Sequence, residues 1–327
     1  MSVENHLSTF HSLPVVDYGE LMEKAEQGEP LPEPDSVAWR LALDIDDVYD
    51  PKPGGRDDYD PIWRDFLARV DLSRVRALVL GVWDDTADSG LDELRDLLIE
   101  QAESFPALRA VFLGDLVREE SDIAYIQQCD PAPLLDAFPL LEEFGARGGD
   151  QACGPLRHTA LRTLRFESGG LPEVVVRAVG SAELPSLERL DLWLGVEEYG
   201  GTTDVSLLAP LLDAGRFPRL RHLGLADSEI QDAVAAAVAS APVVAQLESL
   251  DLSMGILTDT GAEALLTGQP LTHLARLDLH HHFLSAEMAA RLRAALEPAG
   301  VAVDLSDAQV PTRYGDEDPW FFVAVSE

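Results

Sequence analysis

The sequence predicts an α/β protein built as a linear stack: a parallel sheet on one side and helices on the other. Two observations carry that expectation. A Leu-x-x-Leu-x-Leu pattern recurs along most of the chain, and an amphipathic, helix-compatible stretch follows most copies. The best copies are Leu187-Glu-Arg-Leu-Asp-Leu-Trp193, Leu220-Arg-His-Leu-Gly-Leu-Ala226, Leu247-Glu-Ser-Leu-Asp-Leu-Ser253 and Leu274-Ala-Arg-Leu-Asp-Leu-His280. A third observation is the period. Units open at Val75, Leu108, Leu141, Leu161, Leu187, Leu220, Leu247 and Leu274, with a degenerate copy at Gly300, so the period lies in the twenties to low thirties. One strand–helix unit cannot bury its apolar face alone, whereas stacked copies share a continuous core.

Each element follows from local chemistry. In Leu277-Asp278-Leu279 the leucines point to one side of a strand and the aspartate to the other, because side chains alternate. Four units carry a lead-in: Phe105-Pro-Ala-Leu, Phe138-Pro-Leu-Leu, Leu184-Pro-Ser-Leu and Phe217-Pro-Arg-Leu. Proline there precedes the strand and costs no ladder hydrogen bond. Helices are expected over Asp232–Ser240, from Ala262, and over Ser285–Leu296. Thr260-Gly-Ala-Glu263 fits a capping box, and Pro172 fits a first helical position. The copy at Leu141-Glu-Glu-Phe-Gly-Ala is weak, and its short unit has little room for a helix.

These motifs resemble the leucine-rich-repeat superfamily over residues 70 to 309, and the longer units resemble its ribonuclease-inhibitor-like class. The resemblance implies a horseshoe solenoid with a concave parallel sheet, outer helices and a cap at each end. The chain departs from the common pattern after the last leucine, where Gly, Asp, Ser or His stands in place of asparagine. The opening His6-Leu-Ser-Thr-Phe-His11-Ser-Leu-Pro14 is also similar to the start of an uncharacterised bacterial family of such proteins. The division expected is an N-terminal capping module over 1–70, repeats over 71–309, and a C-terminal cap or tail over 310–327.

Within the N-terminal module, 25 to 36 form a proline-rich loop, and Val37-Ala-Trp39-Arg-Leu41-Ala-Leu43-Asp-Ile45 alternates as a strand of the cap. Residues 50 to 60 read as an exposed loop, and Pro61 to Val70 as a helix leading into the first repeat. The apolar tail Trp320-Phe-Phe-Val-Ala-Val325 is expected to fold back as a cap strand, since an exposed β-prone tail invites aggregation.

Charge bounds the function. The formal net charge is −35, and Lys24 and Lys52 are the only lysines. Such a surface repels nucleic acid and anionic membranes and favours a basic partner or solubility alone. Cys129 and Cys153 are the only cysteines, a usage that suits a reducing cytoplasm. No apolar run long enough to span a membrane and no signal-like start occurs, so a cytoplasmic protein is expected.

The resemblance implies that the non-leucine strand positions face the concave surface. The expected partner-binding residues are Arg165, Arg189, Asp191, Trp193, His222, Asp251, Ser253, Arg276, Asp278, His280 and Asp304. Asp251, Asp278 and Asp304 stand on adjacent strands about 4.8 Å apart, a ladder of like charges that calls for a compensating cation, Arg276 or a partner. The apolar positions Ala77, Val79, Ala110 and Phe112 would leave a greasy strip unless the N-terminal module or the tail covers it.

His280-His281-His282 invites a metal reading, but strand alternation lets only His280 and His282 share a face, and a polar turn is favoured. The acidic run Asp44 to Asp50 lacks the spacing of a calcium loop. No phosphate-binding glycine loop occurs, and no cofactor is expected. The reading is a non-catalytic interaction module holding a protein or peptide partner, basic in preference, on an acidic concave face. The alternatives are an accessory subunit of a neighbouring enzyme, and a metal-dependent enzyme using the Asp/His side of the last repeats.

Overall fold

A computed structural model describes residues 3–43, 60–83, 90–149, 152–313 and 319–326 of the chain. One open sheet of twelve strands runs through it in sequence order. The strands are β1 (Thr9–Phe10), β2 (Leu13–Asp17), β3 (Ala38–Leu41), β4 (Ala77–Leu80), β5 (Ala110–Leu113) and β6 (Glu143–Arg147). They continue as β7 (Thr163–Glu167), β8 (Arg189–Gly195), β9 (His222–Ser228), β10 (Ser249–Asp251), β11 (Arg276–Asp278) and β12 (Ala302–Asp304). From β2 onward every neighbouring pair is parallel; β1 and β2 form an antiparallel hairpin.

The described residues hold eight α-helices: α1 (Tyr18–Glu26), α2 (Asp60–Arg69), α3 (Asp92–Glu100), α4 (Ala132–Ala137), α5 (Glu173–Ser181), α6 (Gln231–Val238), α7 (Asp259–Thr267) and α8 (Ala286–Leu296). Their apolar faces pack on the leucine face of the sheet. Leu94 and Leu98 of α3, Val175, Val176 and Val179 of α5, and Leu292 and Leu296 of α8 share one core with Leu78, Val111, Leu190, Leu250 and Leu277. Strand order equal to chain order, with the helices on one side of the sheet, gives a solenoid-like α/β stack.

The lead-ins set up the strands. In Phe105-Pro-Ala-Leu108 and Phe217-Pro-Arg-Leu220 the leucine N–H donates to the aromatic residue's carbonyl at 3.1 and 3.0 Å. Proline therefore occupies the second position of a β-turn, where its fixed φ is pre-set. Buried side chains serve backbone carbonyls in or just after the strands: Gln128 donates to Leu113 O and Arg147 O, Gln231 to Leu225 O, and His282 to Leu305 O.

The strand expected at 37–45 is found at 38–41, and β2 lies beside it, so the parallel sheet continues into the N-terminal module without interruption. Residues 44–59, including the acidic run and most of the expected loop, lie outside the described residues. Helix starts differ slightly from expectation. α7 is capped by Thr258, not Thr260, because the Thr258 hydroxyl is fixed by Asp232 and accepts from Thr260 N. Pro172 is the residue before α5 rather than its first residue. The weak unit at Leu141 has no helix between β6 and β7 among the described residues, as its shortness implies.

The tail is folded back, but it adds no strand to the sheet. Residues 319–326 lie as a strap over the loops that leave the strands. Ala324 N donates to Met254 O at 2.7 Å and Val325 N to the Asp227 carboxylate at 2.9 Å. Val325 packs with Val82, Leu116, Ile123 and Ile126, and Phe322 O accepts from His281 Nε2.

Candidate functional site

The sheet's second face carries no helix among the described residues. At its N-terminal end the side chains are apolar, and the β1–β2 hairpin crosses over them. Phe10 packs edge-on against Phe112 with ring centroids 5.9 Å apart, and Leu7, Leu13 and Val15 cover Ala38, Ala77, Val79 and Ala110. Gly145 on β6 leaves room for the Phe112 ring, because any Cβ there would collide with it. The greasy strip expected from the sequence is thus covered by residues 7–15.

Beside that cover lies a buried ionic network. Arg40 bonds Asp17 at 2.6 Å and Asp115 at 3.1 Å; Arg147 bonds Asp115 at 3.3 Å and Glu167 at 2.8 Å; Arg165 reaches Glu167 at 3.2 Å. Burial alone would raise the Asp115 carboxyl, but His6, Arg147 and Arg40 hold it below its usual range. Burial opposes the charge on His6 in turn, yet Asp115 and Glu120 raise it to about 9. The hairpin is therefore pinned by charge as well as by packing.

From β7 to β12 the hairpin gives way and the face is polar. Parallel register sets two rows. Arg189, His222, Ser249 and Arg276 share one; Arg165, Asp191, Gly224, Asp251, Asp278 and Asp304 share the next. The chain itself compensates most of the aspartates. Arg189 grips Asp191 at 2.6 and 3.0 Å, and His222 Nε2 lies 2.7 Å from the same carboxylate. Arg276 joins Asp278 at 2.8 Å to Asp304 at 3.2 Å, and His280 Nδ1 sits 2.8 Å from Asp278.

Burial works to raise the Asp278 carboxyl, but its bonds to His280 and Arg276 hold it well below the ordinary range. His280 is raised by that same bond. Asp251 differs: its partners are the Ser253 hydroxyl and N–H, and burial together with the charges of Asp278 and Asp191 raises it.

The expected site residues thus fall on one face, but not at one depth. Ser253 is 1% exposed, so it supports Asp251 from below and cannot touch a partner. Asp191 and Asp278 are also buried, because a short side chain on a sheet lies beneath its longer neighbours. Trp193 is half-buried and packs with Met254, Ala324 and Val325, so the strap takes part of its surface. Of the expected residues Arg276 is exposed, while Arg165, Arg189, His222, Asp251, His280 and Asp304, like the neighbouring Ser249, are half-buried.

The histidine run does not alternate as a strand, because β11 ends at Asp278; His280 bonds Asp278 on the open face, and His280 and His282 do not share a face. His281 has φ 54 and is buried among Phe283 and Phe322, and His282 is buried against Leu305 O. Among the described residues no three His, Cys, Asp or Glu side chains converge as a metal set. Burial pushes the thiols of Cys129 and Cys153 up to about 12, which suppresses thiolate chemistry. No described helix is long and apolar enough to cross a membrane.

Neither a family profile nor a curated protein sequence matches the chain. Among solved structures, a Bacteroides fragilis protein aligns with a TM-score of 0.75 and 32% sequence identity. The alignment covers 89% of this chain and 82% of that one.

Proposed function

The chain belongs to the same family as the Bacteroides fragilis protein, and from that premise we propose a leucine-rich-repeat-type solenoid whose uncovered sheet face, β7 to β12, docks a protein or peptide. The observation that carries this reading is the abrupt change of cover along one face. The hairpin seals the apolar half, while the half beyond it presents charged heads of both signs over buried counter-charges. Pre-paired groups of this kind are held rigid at little further entropic cost on binding.

The net charge of −35 draws basic partners at long range, while local contact selects among them. Asp251 and Asp304 are the accessible carboxylates for basic side chains, and Arg165, Arg189 and Arg276 receive acidic ones.

The test is capture of partners from native cytoplasm at low and high salt, followed by affinity measurement with the Asp251→Asn, Asp304→Asn double variant. Both positions are polar and partly exposed, so the fold should survive. Binding of a basic partner should weaken roughly ten-fold, the effect of about 1.4 kcal/mol, and should lose part of its salt dependence. Unchanged affinity would sink the docking assignment.

A further inference from the structure

We propose that Asp191, His222 and Ser249 form a nucleophilic triad, which gives the open face an acyl-transfer activity towards small esters in addition to docking. The three residues stand on consecutive parallel strands, β8, β9 and β10. His222 Nε2 is 2.7 Å from Asp191 Oδ1, and His222 Nδ1 is 2.7 Å from Ser249 Oγ.

With His222 neutral, the directions of these bonds follow from the carboxylate. Asp191 is ionised, because His222 and Arg189 outweigh the cost of its burial. A carboxylate can only accept, so His222 carries its hydrogen on Nε2. Its Nδ1 is then a lone pair, and Ser249 must donate to it. This is the tautomer a general base needs to withdraw the hydroxyl proton, with a third group fixing the ring.

The surroundings suit the roles. Asp191 is buried and clamped by both nitrogens of the Arg189 fork. Gly224 is the register partner of Asp191 on β9; a Cβ there would lie 2.6 Å from Asp191 Oδ1, so the carboxylate can lean across β9 only because no side chain is present. Ser249 remains partly accessible. Its register partner on β11 is Arg276, one strand spacing away. Beyond Arg276 the row ends at Ala302, beside a hollow of about 530 Å³ lined by Arg276, Arg293, Glu297 and residues 301–306. Both arginines there are paired within the hollow, Arg276 with Asp304 at 3.2 Å and Arg293 with Glu297 at 3.1 Å, so its lining is charge-balanced.

The chemistry balances without a cofactor. Ser249 Oγ attacks the ester carbonyl carbon as its proton passes to His222 Nδ1. The intermediate collapses with cleavage of the ester C–O bond, and His222 returns the proton to the departing alcohol. Water then attacks the acyl-Ser249, giving up a proton to His222, and the acid leaves with Ser249 restored. The sum is ester plus water to acid plus alcohol.

The experiment treats the full chain with a fluorophosphonate probe and maps the adduct by mass spectrometry, alongside hydrolysis of p-nitrophenyl acetate. A single adduct on Ser249 is expected. Labelling should vanish in Ser249→Ala and fall about 10²-fold or more in His222→Gln, the usual loss with a general base. Absence of an adduct on Ser249 in the wild-type chain overturns the proposal and needs no variant to interpret. A Ser249 adduct that forms equally fast in a folded His222→Gln variant overturns the base assignment. Partner affinity is measured on the wild-type chain without probe, so failure of this chemistry and failure of docking are separable.

Discussion

A single hydrogen atom at position 224 determines how the polar face is wired. Gly224 lies in the same row as Asp191, and its missing side chain is the space through which Asp191 meets His222. Gly224→Ala should therefore force Asp191 aside and cost about 1–3 kcal/mol, the range for an overpacked site. Urea denaturation with an unchanged slope and a lower midpoint would show it. An unshifted midpoint would mean that Asp191 moves freely, and with it the triad geometry would lose its basis. In the sequence this glycine is only the residue between Leu223 and Leu225 of one repeat. The requirement for it comes from a neighbour on the preceding strand, a full repeat away, beyond what local pattern can express.

Among the elements, the β1–β2 hairpin divides the open face into a sealed apolar part and a free polar part. Phe10 is its main apolar contact, set against Phe112. Phe10→Ala should lower stability by about 3 kcal/mol, the lower end for loss of a buried phenylalanine, because the ring sits at the margin of the sheet. Calorimetry would record the fall, and an apolar dye should bind the uncovered Val79 and Phe112 strip. A loss below about 1 kcal/mol without dye binding would show that the Arg40–Asp115–Arg147 network alone holds the hairpin. The sequence marked the strip as needing a cover but offered two candidates. The choice between hairpin and tail depends on a long-range chain path.

At the scale of the whole molecule, the strap ties the chain's last residues to the middle repeats through Asp227. This aspartate is fully buried, its Oδ1 accepts from Val325 N–H, and its Oδ2 has no hydrogen-bond partner. Burial raises the carboxyl well above its usual value, so the folded chain holds a proton there that the unfolded chain releases. Stability from this group is therefore full below the unfolded pKa and is lost as pH rises towards the folded one, at about 1.4 kcal/mol per pH unit within that window. Asp227→Asn cannot ionise, so its stability relative to the native chain should improve steadily as pH rises above the ordinary carboxylate range. Parallel thermal-midpoint curves for the two proteins would refute the assignment.

The repeat, its strand–helix alternation and the face on which each strand side chain lies are all legible in the sequence. They follow from periods of two and of about 3.6 residues and from a leucine pattern that repeats along the chain. Arg189, Asp191, His222, Arg276, Asp278 and Asp304 are assigned to one surface in the same way, because in a parallel stack register follows from the repeat. Depth, cover and pairing come from tertiary contacts alone. Ser253 and Asp278 sink beneath their neighbours, the strap claims part of Trp193, and His222 bridges Asp191 to Ser249 across two strand gaps. Each depends on side-chain length and on contacts between residues distant in the chain, and periodicity carries no information about either.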